Sequence, residues 1–335
     1  MDKFGIGVIG CGGMGRSLAH SANALEHVNV VRVSDLDQER AQQVASEVDA
    51  DYNLDYHDLL ADDHVQAVLI ASPPFMHPQM AIDAADAGKH VFCEKPMAPT
   101  LKGCDKMIHA TQKNGVKLAI GLVCRFHATH SKVNQIVRSR DLGDPICMMM
   151  HRIGGPWSLG GYMAHWRLQR EKSGGSLMEI NAHEIDFMRW TCGEVKTVYS
   201  AGGIYIQKEA DYPDVVLVSL TFESGAVGLL HSSHASAIGG YGGRVDCENG
   251  SIYFPQIWGG DATIRVKPLD GEEERIPISE IKVEEPVRHE IRAFVDAILA
   301  EHQPPITGKD GRAAVEIALA AYQSIETGKP VELPL

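Results

Sequence analysis

The chain reads as two domains. An α/β domain with a doubly wound parallel sheet covers residues 1–121, and a domain built on a largely antiparallel sheet covers 122–335. Three observations predict this. Short apolar runs alternate with helical stretches as far as Gly121, and strand–helix alternation means a parallel sheet. Beyond Leu122 the β-rich runs follow one another with few helices between them, the pattern of antiparallel strands. A length of 335 residues suits two domains better than one.

Phe4 to Ile9 has the apolar character of a buried parallel strand. It runs into Gly10-Cys11-Gly12-Gly13-Met14-Gly15, followed by a helical stretch to Ala24. In such a G-x-G-x-x-G turn the first glycine permits the tight bend. The second lets backbone N–H groups approach a pyrophosphate, and the third lets helix and strand pack closely. The helix N-terminus adds partial positive charge for the phosphates. A second strand, Asn29 to Ser34, ends at Asp35. An acidic residue about 20 positions after the glycines suits the ribose hydroxyls of NAD. Its charge would also repel the extra phosphate of NADP, so NAD is the expected cofactor and NADP the less favoured one.

Helices follow at Glu39 to Val48 and Tyr56 to Leu60, a strand at Ala67 to Ala71, and a helix at Pro78 to Ala87. Ser72 and Pro73 fall in the loop after that strand, where they could line a cofactor cleft. His77 precedes an N1-type proline and reads first as a helix-start residue; it also joins the cofactor candidates. The strand His90 to Cys93 leads into Glu94-Lys95-Pro96. A lysine beside proline at a strand's carboxyl end is a held cation at the mouth of a site. Thr100 is placed to cap the helix Leu101 to Asn114, and Lys117 to Gly121 closes the domain.

In the second half Ser131 to Ser139 looks helical. Strands are expected at Ile146 to Ile153, Thr197 to Gly202, Val215 to Phe222, Ala226 to His234, Arg244 to Glu248 and Ser251 to Phe254. Two amphipathic stretches, Val287 to Ala300 and Gly311 to Thr327, end the chain. Between them Ser173-Gly174-Gly175 leads into a stretch that reads as one helix from about Leu177. On it Glu179 and His183 are i,i+4, and His183 and Asp186 are i,i+3, so the three share a face. A carboxylate there could orient the imidazole. Apolar residues at Val215, Leu217, Leu220, Val227 and Leu229 suggest a sheet face that a second subunit would cover, as a homodimer or homotetramer.

Composition excludes some roles. The formal net charge of −13 argues against nucleic acid or an anionic membrane as partner. Seven scattered cysteines with no CxxC pair read as reduced thiols in a cytoplasmic protein. No segment approaches a signal peptide or a membrane helix. No third ligand completes a metal site around His183, so no metal is expected.

With the glycine turn, Glu94-Lys95-Pro96 and Gly174-Gly175…Glu179-x-x-x-His183-x-x-Asp186 in that order, the chain resembles the glucose–fructose oxidoreductase / inositol dehydrogenase / MocA family over essentially its whole length. The resemblance implies an N-terminal Rossmann domain, a C-terminal α+β domain with an open, mostly antiparallel sheet, and nicotinamide-dependent oxidation or reduction of a sugar or cyclitol. It matches Lys95 to the family's catalytic lysine, Pro96 to its often cis proline and His183 to its catalytic histidine. Trp166 and Arg167 fall where relatives carry a substrate-facing pair. Glu179 stands where many relatives have aspartate, and is carried as a catalytic candidate with Lys95 and His183. Glu94 and Lys95 join the cofactor set. Arg125, Arg152 and Trp157 complete the substrate candidates, with His151 and Tyr241 as further pocket lining. Two alternatives stand beside a dehydrogenase. One is a glycoside-cleaving enzyme that oxidises transiently and keeps its NAD. The other is a non-enzymatic NAD-binding regulator.

Overall fold

The computed structural model describes residues 3–156 and 165–335; Trp157 lies outside the described residues. The chain forms two compact units, Met1–Val123 with Glu284–Arg312, and Cys124–Val283 with Ala313–Leu335. Chain order alone assigned all of 122–335 to the second domain. The segment 284–312 instead packs with the first unit, because its helix carries an apolar face that the first sheet buries.

In the first unit six strands form one parallel sheet: β1 (Phe4–Ile9), β2 (Val28–Ser34), β3 (Asp51–Asn53), β4 (Ala67–Ile70), β5 (His90–Glu94) and β6 (Leu118–Gly121). Their order is β3-β2-β1-β4-β5-β6, so the winding reverses between β1 and β4. Every residue of β1, β4 and β6 is buried, as expected where helices cover both faces. The helices are α1 (Gly13–Asn23), α2 (Gln38–Val48), α3 (Tyr56–Leu60), α4 (His77–Asp86) and α5 (Leu101–Lys113). Asp37 caps α2 through the N–H groups of Glu39 and Arg40. Thr100 caps α5 as expected, its Oγ1 accepting Gly103 N–H at 3.1 Å. The sequence reading missed β3. Its three residues sit at the sheet edge without a buried apolar side chain, so no hydrophobic period marks them.

The second unit opens with α6 (Ala128–Ser139) and β7 (Pro145–Ile153). Three helices follow the undescribed stretch: α7 (Arg170–Ser173), α8 (Ser176–Glu179) and α9 (Ala182–Cys192). The remaining strands are β8 (Val195–Gly203), β9 (Val215–Phe222), β10 (Val227–Ser233), β11 (Gly240–Cys247), β12 (Gly250–Phe254), β13 (Thr263–Pro268), β14 (Glu274–Pro277) and β15 (Val331–Glu332). They join β7 in the order β14-β13-β12-β11-β7-β10-β9-β8-β15. Only the β7–β10 pair is parallel among these described strands. β13, β14 and β15, absent from the sequence reading, extend this sheet at its two ends.

Burial alternates along the strands, as in β9, so one face is covered and the other open. α9 packs on the covered face against β7 and β10. Ile146, Met149, Tyr199, Leu217, Val227 and Tyr253 are exposed. Leu220, read from the sequence as part of the open face, is buried on the other side. Its even number in β9 opposes it to Leu217 by the period of two. The closing helices are α10 (Pro286–Leu299) and α11 (Gly308–Thr327). Ile291, Phe294 and Val295 of α10 enter the core of the first unit.

Candidate active site

In the first unit the candidate residues gather at the carboxyl edge of the parallel sheet. Gly10 adopts φ +96°, and a Cβ there would lie 2.7 Å from Ala71 O. A Cβ on Gly15 would fall 1.7 Å from Gly10 O, so only glycine lets α1 pack this close to β1. At Gly12 and Gly13 a Cβ would meet nothing within 4 Å. Those two glycines face open space at the start of α1, where the first helical N–H groups have no intrahelical acceptor. Met14 packs against the core below. Asp35 accepts Cys11 N–H at 2.7 Å and Asp37 N–H at 2.8 Å. Its carboxylate is thereby pinned beside the glycine loop. Burial, with help from Asp35, pushes the Cys11 thiol up to about 12, which keeps it a neutral spectator. These residues fit a dinucleotide: an open amide cradle for phosphate, closed behind by Gly10 and Gly15, with a fixed carboxylate for ribose.

The loops after β4 and β5 are tied together by His77. It has no exposed surface; its Nδ1 lies 3.0 Å from Pro96 O and its Nε2 2.7 Å from Ser72 O. His77 therefore acts as a strut that fixes Ser72, Pro73 and the Lys95–Pro96 turn, and presents no surface to a ligand. Glu94 is buried and accepts Lys95 N–H at 3.1 Å. It lies over Gly121, where a Cβ would come within 2.9 Å of its carboxylate. The Lys95–Pro96 bond is cis.

In the second unit the helix expected from Leu177 is broken. α8 ends at Glu179 and α9 starts at Ala182. Glu179 and His183 are thus not i,i+4 neighbours on one helix, as the uninterrupted reading required. Glu179 accepts Arg167 Nε–H at 2.9 Å, and the Arg167 guanidinium lies over the Trp166 ring, 4.6 Å from its centroid. His183 and Asp186 do share α9. Asp186 is buried and receives two hydrogen bonds from Arg125, at 2.8 and 2.6 Å. The Arg125 side chain is 9% exposed against 2% for its partner, and lies 5.3 Å from the Trp190 ring centroid. It is therefore built in as half of an ion pair beneath α9.

Next to His183, Glu184 is fully buried and anchors a polar network. It accepts from Arg152 Nη1 at 3.1 Å, Tyr241 OH at 2.5 Å and Asn181 Nδ2 at 2.9 Å. Ser232 Oγ donates to Asn181 Oδ1 at 2.6 Å. Arg152 also lies over the Tyr241 ring at 4.9 Å. Tyr241 gives its only proton to Glu184, so His130 Nε2, 3.2 Å from the tyrosine oxygen, is the donor there. Burial pushes His130 down to about 3, so it stays neutral. His151 does not belong to this group. It neighbours Arg152 along β7 and therefore points to the opposite, open face, in register with His231 and Leu217.

Among the described residues no group of three His, Cys, Asp or Glu is arranged to hold a metal. All seven cysteines are free thiols. No described helix is long and apolar enough to cross a membrane.

A family model described as the NAD-binding Rossmann fold of an oxidoreductase family matches residues 4–122, and the GFO/IDH/MocA C-terminal domain matches residues 130–253. The chain belongs to the GFO/IDH/MocA oxidoreductase family. It is 31% identical to the uncharacterized oxidoreductase YrbE of Bacillus subtilis over 98% of this chain and 96% of that protein. It is 28% identical to the myo-inositol 2-dehydrogenase of Thermotoga maritima over 98% of each. Its fold superposes on levoglucosan dehydrogenase, solved with NADH and levoglucosan, with TM-score 0.89, 22% identity and full coverage of both chains.

Sequence reasoning missed two buried carboxyl groups of this chain. Glu184 lies off the face shared by His183 and Asp186, which the sequence reading follows. A signal was present: Glu184 sits four residues from both Ile180 and Met188, an acid at apolar spacing. The second, Glu290, lies at position five of α10 among the buried residues of that helix.

Proposed function

We propose that the protein is an NAD-dependent dehydrogenase acting on a hydroxyl of a sugar or cyclitol, with residues 1–121 binding NAD and the rest of the chain supplying the substrate site. The observation that carries this is the alignment of parts in the first unit. The glycine cradle after β1, Ser72 after β4 and Lys95 after β5 stand along one carboxyl edge, spanning the point where the strand order reverses, the place where such sheets bind ligands. The family relationship and the myo-inositol 2-dehydrogenase relative support the substrate class.

Gly12, Gly13, Met14 and Gly15 would hold the pyrophosphate through backbone N–H groups, with Gly10 and Cys11, whose N–H groups are bonded to Ser34 O and Asp35, shaping the turn behind them, and Asp35 the ribose. Asp35 also favours NAD over NADP by charge. When bound, the nicotinamide accepts or supplies a hydride. The chain's own task is the hydroxyl proton. Lys95 is proposed to take it, with His183 sharing the proton work. Arg152 and Arg167, each partly exposed and held by a buried glutamate, are proposed to orient the polyol, with Trp166 stacked on Arg167. In this reading Glu179 positions Arg167 as well as serving the site directly. Arg125 acts through Asp186.

The open face of the nine-stranded sheet supports a homo-oligomer, since an apolar face of this kind is usually covered. Leu217→Glu combined with Val227→Asp should shift the sedimentation coefficient toward the monomer. A wild-type protein already monomeric at micromolar concentration would refute the assignment.

The test of function is NADH formation across a panel of inositols, aldoses, anhydro-sugars and glycosides. Net NADH accumulation with a free polyol or sugar is the expected result. Glycoside cleavage without net NADH would overturn it.

A further inference from the structure

Glu290 is a carboxyl group that the first unit buries without giving it a donor. It is 3% exposed, and neither of its oxygens has a hydrogen-bond partner. It lies on α10, which packs on β5 and α1. The register against β5 follows from the aromatic pair next to it. Phe294 lies on Phe92, with ring centroids 5.9 Å apart. Glu290 is one helical turn before Phe294, and Glu94 is two strand residues after Phe92. One turn is about 5.4 Å and two strand residues about 6.6 Å, so the two carboxyl groups lie at similar offsets from this aromatic pair, and the charge of Glu94 acts on Glu290, which puts them on the same side of it.

Among the described residues, the charges that act on Glu290 are carboxylates. Glu94 faces it from β5 and Glu285 from the start of its own helix, and both oppose its ionisation, after burial itself. Glu285 is already engaged with Val287 N–H, Arg288 N–H and Ser21 Oγ of α1. Arg16 and His20 of α1 are bonded to Glu47 of α2. Arg288 and His289 precede Glu290 on other bearings of the helix. An ionised carboxylate in this setting would be buried with neither donor nor counter-charge, a costly state. A neutral acid has one O–H to donate, and Glu94 is the acceptor on the same side.

We propose that Glu290 is carried as the neutral acid and donates its hydrogen bond to Glu94, making it a positioning residue for the Lys95 turn. The chain of contacts is short. Glu290 O–H holds the Glu94 carboxylate, and Glu94 Oε2 accepts Lys95 N–H. The proton leaves a single negative charge behind the lysine instead of two. The consequence for turnover rests on the assignment of Lys95 as the proton carrier; the protonation state does not.

Two readouts separate these. The infrared difference spectrum of wild type minus Glu290→Gln at pH 7 should contain the C=O stretch of a protonated carboxyl, shifted in D2O. In Glu94→Gln that band should titrate away at lower pH, because one opposing charge is gone. Absence of the band overturns the neutral acid, and an unmoved titration overturns the pairing with Glu94. For positioning, Glu290→Gln keeps a donor and should retain kcat within about threefold. Glu290→Leu should lose about 10–100-fold in kcat, the scale of a displaced catalytic group, with NAD affinity little changed. If Glu290→Leu lowers only the melting temperature and leaves kcat intact, the positioning role is wrong. If the band is present while Lys95→Ala proves active, the proton stands and the assignment of Lys95 fails.

Discussion

The two units hold their candidate residues in different ways. In the first, position comes mainly from contacts to the backbone. Glycines shape the cradle, His77 braces two loops through carbonyl oxygens, and Lys95 is held by its own N–H. In the second, position comes from charge against charge: Arg125 with Asp186, Arg152 with Glu184, Arg167 with Glu179. A parallel sheet buries both faces and leaves only its strand ends for chemistry. A one-sided antiparallel sheet with a helix laid on it can bury paired charges between the two layers. The second arrangement tolerates the loss of one partner badly, because it leaves a buried charge alone. The first should lose rate before it loses stability.

Substitutions can break this contrast, and the largest effect should be on rate in the first unit. Lys95→Ala removes the proposed general acid/base and should cost about 10²–10⁴ in kcat, with the melting temperature and NAD affinity little altered. His183→Ala should cost a comparable factor, and the double variant less than the product, as the proposed sharing of one proton requires. If Lys95→Ala keeps more than about a tenth of wild-type kcat, Lys95 is an ordinary loop lysine.

Next comes stability in the second unit. Asp186→Ala removes the carboxylate that takes two hydrogen bonds from the largely buried Arg125 and should cost about 3–5 kcal/mol in urea unfolding. A loss under about 1 kcal/mol would mean that the pair behaves like a surface ion pair, and the contrast between the units would fail. Asp35→Ser, back in the first unit, should narrow the preference for NAD over NADP by about tenfold, or about 1.4 kcal/mol, measured as the ratio of kcat/KM values. A wild type that prefers NADP would contradict the role given to Asp35.

The smallest effect concerns Glu290. Its folded pKa lies well above 4.5 because of burial, then Glu94. The native state therefore keeps a proton that the unfolded chain releases. Its contribution is full below about 4.5 and declines as pH rises toward the folded value. Glu290→Gln removes that decline, so its melting temperature should exceed wild type's by about 2–4 °C at pH 8 and match it near pH 4. Parallel curves at both pH values would show Glu290 to be ionised in the native state.

By itself the sequence determined the parts that depend on local chemistry. The strand–turn–helix around Gly10 to Gly15, Asp35 at the end of β2, the Thr100 cap and the alternation that makes the first sheet parallel are all written in spacing and residue type. Only the tertiary structure decided the rest. Gly174 and Gly175 signal a bend, but nothing local says that the helix breaks again at Ile180 and Asn181, which ends the i,i+4 relation of Glu179 and His183. Parity along β7 sends His151 and Arg152 to opposite faces, but α9 decides which face is interior. Partners such as Arg125 and Asp186, or the proposed pair Glu290 and Glu94, stand 61 and 196 positions apart in the chain. A period of 3.6 or 2 reports which side of an element is buried; it carries no information about which distant side chain will be waiting there.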